Sequence, residues 1–299
     1  MSFAAGPVRV SVPATSANLG PGYDCLGLAL DLRDEVTAEV GGEGLVLEVT
    51  GEGAGSVPRD ATHLVARAMD AAFGAMHLTT PSLRLACTNR IPHARGLGSS
   101  SAAIVGGIAL ARALVDDGPD RLPLGDCLAL ANALEGHPDN VAPALFGGFV
   151  VCGQDAEDVW AVQAPLDRRV RTVAFVPPTG LSTEVARGLL PATVPHVDAA
   201  ANSARAALLV ASLGSAPDRL LRATEDFLHQ SYRRPAMPGS LDLVDRLRAD
   251  GHAAVVSGAG PTVLVLLADD TDLSSYTPEE WRHLRLAVAA EGAAVVGVC

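Results

Sequence analysis

The sequence predicts an α+β fold of about two domains, and three observations carry that expectation. Strand-like and helix-like stretches are mixed along the chain without the strict alternation of a doubly wound sheet. The chain has 299 residues, 48% of them hydrophobic and 19% charged, which is enough apolar surface for large cores and too little charge for disorder. The stretch 154–169 is the most polar and least periodic part of the middle, and it sets a boundary between residues 1–165 and 166–299.

In chain order, Val8, Val10 and Val12 alternate with Arg9 and Ser11 and read as a strand, which runs into a turn-rich segment from Pro13 to Gly27. Strands follow at Val36–Val40 and Leu45–Val49. Apolar spacings of three and four at Leu64, Val65, Ala68, Met69, Ala72 and Phe73 predict an amphipathic helix over Thr62–Met76. A strand at Leu83–Cys87 leads into a glycine-rich loop, after which Ala102–Val115 is apolar almost all round, the profile of a helix buried in a domain centre. A helix over Leu124–Glu135 stops at Gly136-His137-Pro138, and a glycine-flanked strand follows at Gly148–Gly153. Beyond the boundary we expect a strand at Val170–Val176 and helices near Ser182–Leu190, Ala199–Leu213, Arg219–His229 and Leu241–Ala249. Strands at Ala253–Ser257 and Val263–Leu267, a helix near Pro278–Ala290 and a final strand complete the series.

Composition excludes several functions. All 22 basic residues are arginine, so a Walker-type phosphate loop, the strand lysine of protein kinases and any Schiff-base lysine are absent. A formal net charge of −12 argues against nucleic acid as a partner, because such binding rests on a basic face. Cys25, Cys87, Cys127, Cys152 and Cys299 are odd in number, far apart and without a C-x-x-C, which fits neither a zinc site nor a disulfide framework and points to a reducing, cytoplasmic compartment. The chain shows no basic start followed by an apolar run and no apolar stretch of about 18 residues, so a soluble, unexported protein without a membrane partner is expected. No H-E-x-x-H spacing occurs, and His63, His77 and His283 lie on stretches read as helical surface.

Polar and glycine-rich residues concentrate in four segments. In the first, Ile91, Pro92, His93, Ala94, Arg95, Gly96, Leu97, Gly98, Ser99, Ser100 and Ser101 form a glycine loop that opens a buried helix. Inward-turned amides and a helix N-terminus suit a polyphosphate, while the hydroxyls can cap the helix or ligate a nucleotide-borne magnesium ion. The second, Glu135 to Pro143, sets Glu135, His137, Asp139 and Asn140 at a helix end as a ligand cluster. The third, Pro13 to Asp24, supplies Asn18 and Asp24 on a loop after a strand, and the fourth, Ser257 to Thr262, is a second glycine loop holding Gly260.

Taken in order, these segments resemble the homoserine kinases, a branch of the superfamily that includes galactokinase, mevalonate kinase and phosphomevalonate kinase. The loop P-x-x-x-G-L-G-S-S-x-A at Pro92–Ala102 marks the superfamily, and PATSANLGPGYDCLG at 13–27 with HPDNVAPALFGG at 137–148 matches the branch. The resemblance spans nearly the whole chain. It implies a two-lobed small-molecule kinase fold, with an N-terminal ATP-binding lobe (1–165), a C-terminal ferredoxin-like lobe (166–299) and the active site in the cleft between them.

The resemblance further implies that residues 91–101 bind ATP, with Ser100 and Glu135 as magnesium ligands. Homoserine's amine would be held by Asp24 with Asn18, and its carboxylate by Arg187 and Arg233, since a planar guanidinium grips a carboxylate through two parallel bonds. Thr183, His137, Asp139, Asn140 and Gly260 complete the acceptor pocket by the same likeness. Asn140 would orient the reacting hydroxyl, Asp139 either takes its proton or supports Asn140, and Arg187 helps to aim it. The implied reaction is ATP-dependent phosphorylation of L-homoserine to O-phospho-L-homoserine in threonine biosynthesis, by an enzyme that can form a homodimer. The competing readings are a kinase for shikimate or mevalonate and a non-catalytic ligand sensor. Asp24 would have no evident partner on an acceptor without an amine, and an intact phosphate loop speaks against a sensor.

Overall fold

The computed structural model describes residues 2–156 and 158–298; Cys299, counted with the cysteines above, lies outside them. The first lobe runs β1 (Val8–Asn18), β2 (Gly22–Val40), β3 (Leu45–Gly51), α1 (Leu64–Ala75), β4 (Leu83–Asn89) and α2 (Ser99–Leu114). It continues through the short α3 (Gly118–Arg121), α4 (Leu124–Glu135), α5 (Pro138–Phe146), β5 (Phe149–Gln154) and β6 (Val159–Ala164). The second holds β7 (Arg171–Val176), α6 (Thr183–Gly188), α7 (His196–Ser215), the short α8 (Leu220–Ala223), α9 (Pro238–Ala249), β8 (Ala253–Val256), β9 (Val263–Leu267) and β10 (Arg282–Leu286), after which β11 (Ala294–Val298) follows.

In the first sheet the order is β11-β1-β2-β4-β3, with β5 on β2 and β6 on β5. The 19 residues of β2 serve two neighbours on one edge: Leu26–Leu28 pairs with β5, and Glu35–Val40 pairs with β4. Four antiparallel strands make the second sheet in the order β10-β7-β9-β8. Fourth, first, third, second is the order of a ferredoxin-like sheet, although the β9–β10 connection holds only a 3₁₀ turn at Ser274–Tyr276 where that fold carries a helix. The pairing of β11 with β1 brings residues 294–298 back from the second lobe to the first sheet.

The continuous apolar runs of β7, β8 and β9 follow from burial on both faces. Val263, Val265 and Leu267 of β9 pack with Leu241, Val244 and Leu247 of α9, whereas Leu264 and Leu266 join the core of the first lobe. Val173 and Phe175 alternate with Ala174 and Val176 in the same way. The second sheet therefore belongs to both cores. Among the described residues no helix is long and apolar enough to cross a membrane.

Several expectations need correction. The turn-rich segment Pro13–Gly27 is mostly strand: β1 continues to Asn18 and β2 begins at Gly22. Pro13 is accommodated because the β1–β2 register shifts between Pro13 and Ala14, a bulge where the missing N–H costs no ladder bond. The stretch Gln154–Arg169 contains β6, an edge strand whose half-exposed Trp160 and Val162 blur the alternation. The helix expected at Arg219–His229 stops at Ala223, since the Asp226 carboxylate accepts the amides of Leu228, His229 and Gln230 and holds the chain in turns. The helix expected at Pro278–Ala290 is instead β10, where Leu284 and Leu286 stand two apart along a strand pairing β7. His63 is buried, not on the surface, and its ring nitrogen accepts the Val65 amide at 3.3 Å as the N-cap of α1; His283 lies on β10.

Candidate active site

The site is built around the start of α2. Gly98 is the N-cap, with φ of 69° and no side-chain cap, so the amides of the first turn (Ser99, Ser100, Ser101) are left without partners inside the helix. The serines do not cap the helix as expected. Ser100 and Ser101 donate their hydroxyls to Glu135 Oε1 at 2.6 and 2.8 Å. Glycine is obligatory at two loop positions: Gly96 has φ of 75°, and a Cβ there would lie 2.2 Å from the Ser257 carbonyl oxygen, while one at Gly98 would lie 1.9 Å from Thr15 Oγ1.

The loop is clamped from both lobes. Thr15 N donates to Leu97 O at 3.0 Å, Thr262 N to Arg95 O at 3.2 Å and Ser257 Oγ to Gly96 O at 2.6 Å. At its base Asp34 Oδ1 accepts the amides of Arg90 (2.6 Å) and Ile91 (2.9 Å), and burial raises the Asp34 carboxyl to about 6. Ile91 and Leu97 are fully buried, and Arg95 spans to the carbonyls of His93, Pro177 and Pro178. Ile91, Leu97 and much of Arg95 thus hold the loop in shape, whereas Ala94, Gly96, Gly98, Ser99 and Ser100 line the cleft.

That cleft has a volume of about 240 Å³ and gathers all four sequence segments. Asn18, Glu135, His137, Asp139, Asn140, Thr183, Arg187, Arg233 and Gly260 all reach its wall, while Asp24 stands behind Arg187 and Ser101 is buried beneath the loop. Pro138 opens α5 at its first turn and so puts Asp139 and Asn140 at a helix N-terminus. Asn140 Oδ1 accepts from Thr15 Oγ1 at 2.8 Å, which leaves the Asn140 amide nitrogen as the side chain's donor. Asp139, only 1% exposed, holds His137 Nδ1 at 2.8 Å. Burial raises the Asp139 pKa against the pull of His137; burial opposes the charge on His137, but the hydrogen bond to Asp139 and the negative charges of Asp139 and Glu135 together outweigh it and raise its pKa.

The two arginines differ. Arg187 forks onto Asp24, Nη1 to Oδ2 at 3.0 Å and Nη2 to Oδ1 at 2.6 Å, and also donates to the Tyr23 hydroxyl at 2.8 Å. Arg233 is 1% exposed and has no carboxylate within ion-pair distance among the described residues. It donates from Nη1 to Gly258 O at 2.9 Å, its Nε has no partner, and the Tyr23 ring lies 5.8 Å from its guanidinium carbon. Gly258 O also takes the Asn18 amide at 2.9 Å, and Asn18 Oδ1 accepts the Asp24 backbone N–H at 3.0 Å. This binds the third and fourth segments together.

Thr15, Tyr23, Asp34 and His229 escape sequence reasoning. Thr15 and Tyr23 stand inside a motif already singled out, but nothing in their spacing marks them. His229 is fully buried under the Tyr23 ring, 5.3 Å away, with Nε2 donating to Gly20 O, and burial lowers its pKa, so it stays neutral. A second cavity of about 360 Å³ adjoins the glycine loop, sharing Ser99 and Ser100, with Val57, His63, Asn89 and His93 among its walls. Among the described residues no group of three or more His, Cys, Asp or Glu could cage a metal. The Ser100–Glu135 oxygens alone suit a hard ion that takes its other ligands from phosphate and water.

A two-lobed α+β fold with an uncapped glycine-loop helix end facing a buried guanidinium across one cleft defines a small-molecule kinase of the GHMP class. The family descriptions "GHMP kinases N terminal domain" and "GHMP kinases C terminal" match residues 61–148 and 201–275. The homoserine kinase of Streptomyces avermitilis is 51% identical over 99% of this chain and 97% of that protein, and that of Clavibacter michiganensis is 48% identical over 96% and 93%. The solved structure of homoserine kinase from Cytophaga hutchinsonii superposes with a TM-score of 0.85 at 24% identity, covering 99% of each chain. The chain belongs to the homoserine kinase family of the GHMP kinases.

Proposed function

We propose that this chain transfers the γ-phosphoryl group of ATP to the side-chain hydroxyl of L-homoserine, forming O-phospho-L-homoserine for threonine biosynthesis. The observation that carries the reading is Arg233, a buried guanidinium with no carboxylate partner among the described residues, in the same cleft as the open amides of α2. A buried cation without a counter-ion is costly, and an acceptor carboxylate supplies one. The α2 amides and Gly96–Ser100 hold the triphosphate, and the adjoining cavity beside His63 and His93 takes the nucleobase. Ser100 and Glu135 are the residues to hold Mg²⁺, which when bound neutralises phosphate charge.

Phosphoryl transfer is catalysed mainly by positioning and charge neutralisation. Asn140 donates from its amide nitrogen to the acceptor hydroxyl oxygen and leaves that hydroxyl's proton free. Asp139, with its proton affinity raised by burial, takes the proton as the new P–O bond forms. Shikimate and mevalonate share the carboxylate but give Asp24 no ammonium. The intact loop and Ser100–Glu135 pair favour turnover over sensing. A cytoplasmic location and a homodimer belong to the same proposal and rest on the family likeness. Incubation with ATP, Mg²⁺ and homoserine, shikimate or mevalonate should give O-phosphohomoserine alone. Phosphorylation of only another acceptor overturns the assignment, and tight homoserine binding without any turnover would make the protein a sensor.

A further inference from the structure

The first sheet ends at β6, and nothing in the sequence of that strand guards its edge. Its six residues, Val159-Trp160-Ala161-Val162-Gln163-Ala164, hold no charge, proline or bulge and pair with β5 in unbroken register. The other edges are defended: β3 carries Glu48, β10 carries Arg282 and Arg285, β8 is buried, and β11 breaks register against β1. Trp160 and Val162 share one face of β6 and are 45% and 59% exposed. The Trp160 indole lies against Gly153, where a Cβ would meet its Cζ2 at 2.5 Å, so the ring is held in place. Asp155 N donates to Asp158 O, which makes these two the first hydrogen-bonded pair of the β5–β6 hairpin. Alternation from that pair turns the backbone groups of Val159, Ala161 and Gln163 away from β5.

We propose that a second copy of this chain adds to this edge, β6 against β6 in antiparallel alignment about a two-fold axis at Ala161. The inference rests on the homodimer proposed above and locates its interface. Three features fit a second copy. Centring the axis on Ala161 pairs Ala161 with itself and Val159 with Gln163, so every outward-turned residue of the strand meets a hydrogen-bonding partner. The same register sets Trp160 of each copy across from Val162 of the other, an aromatic and β-branched pair on the exposed face. The two ends of the strand also differ in charge. Exposed Asp155 and Asp158 form the turn before β6, and exposed Arg168 follows it, while Asp167 in that stretch is already paired with Arg169. An antiparallel copy brings each acidic turn beside the other copy's Arg168, which offsets the repulsion between two chains of net charge −12.

The test is sedimentation of the full-length protein from low to high micromolar concentration, with tryptophan fluorescence read alongside. The unaltered chain should dimerise, and its emission should shift to the blue with concentration as the Trp160 indole is covered. Val162→Lys, at an exposed position, should weaken the dimer about tenfold or more while leaving Tm and homoserine phosphorylation unchanged. Asp158→Arg and Arg168→Glu should each weaken it about threefold, and the double variant should regain the original affinity. Misfolding cannot produce that recovery. A dimer of unchanged affinity in Val162→Lys, or no recovery in the double variant, overturns the β6 interface and leaves the homodimer standing. A chain that stays monomeric at every concentration overturns both, and the proposed phosphoryl transfer is then judged by its own assay.

Discussion

At the level of one side chain, the proposed reaction gives Asp139 the task of taking the acceptor's proton. A carboxyl at 1% exposure binds its proton more tightly than the ordinary Asp value of about 3.9, and its bond to His137 ties the two titrations together. Only the ionised form accepts a proton, so kcat should fall as pH drops through an apparent pKa above that ordinary value. Asp139→Asn should lower kcat by roughly 10²- to 10⁴-fold and flatten the acidic limb of the pH–rate profile. A loss below tenfold with the limb intact would leave Asp139 as support for Asn140 alone. The residue types of this site were legible in the sequence, because glycines, serines and a clustered Glu, His, Asp and Asn have few structural uses together. Their pairings were not. Asp24 and Arg187 are 163 positions apart, and the sequence assigned them to opposite ends of a ligand, whereas in the structure they hold each other.

Helices with a one-sided or all-round apolar pattern and clear ends were read nearly in place, α4 to the residue. The missed α5 has nine residues, Pro138 at its start and Pro143 inside, and all but Phe146 are buried, so no polar face gave it a period. The β10 stretch failed for the opposite reason: Trp281, Leu284 and Val288 fit a helical spacing as well as Leu284 and Leu286 fit a strand, and pairing with β7 decided the matter. At this scale α1 packs closely on α2, the helix that the glycine loop opens. A Cβ at Gly107 would meet the Val65 carbonyl oxygen at 2.5 Å and Ala68 Cβ at 2.8 Å, neither of which is the flexible end of a side chain. Gly107→Ala should therefore cost about 1–3 kcal/mol as the helices separate, read as a lower Tm, and should raise KM for ATP more than KM for homoserine. An unchanged Tm would show that α1 yields freely.

Over the whole molecule, the absence of lysine loses its force as an argument against nucleotide use, since helix-end amides and hydroxyls face the cleft and the arginines are free for other duties. The boundary drawn from composition divides neither the sheets nor the cores cleanly, because β11 returns to the first sheet and β7, β8 and β9 contribute one face to each core. Heat should accordingly unfold the chain in one transition whose calorimetric and van't Hoff enthalpies agree; two resolved transitions would show that the lobes stand independently. The shared sheet also bears on how the lobes can move. With alternate residues of β7, β8 and β9 packed into both interiors, turning one lobe against the other would have to shear a sheet whose two faces are both buried.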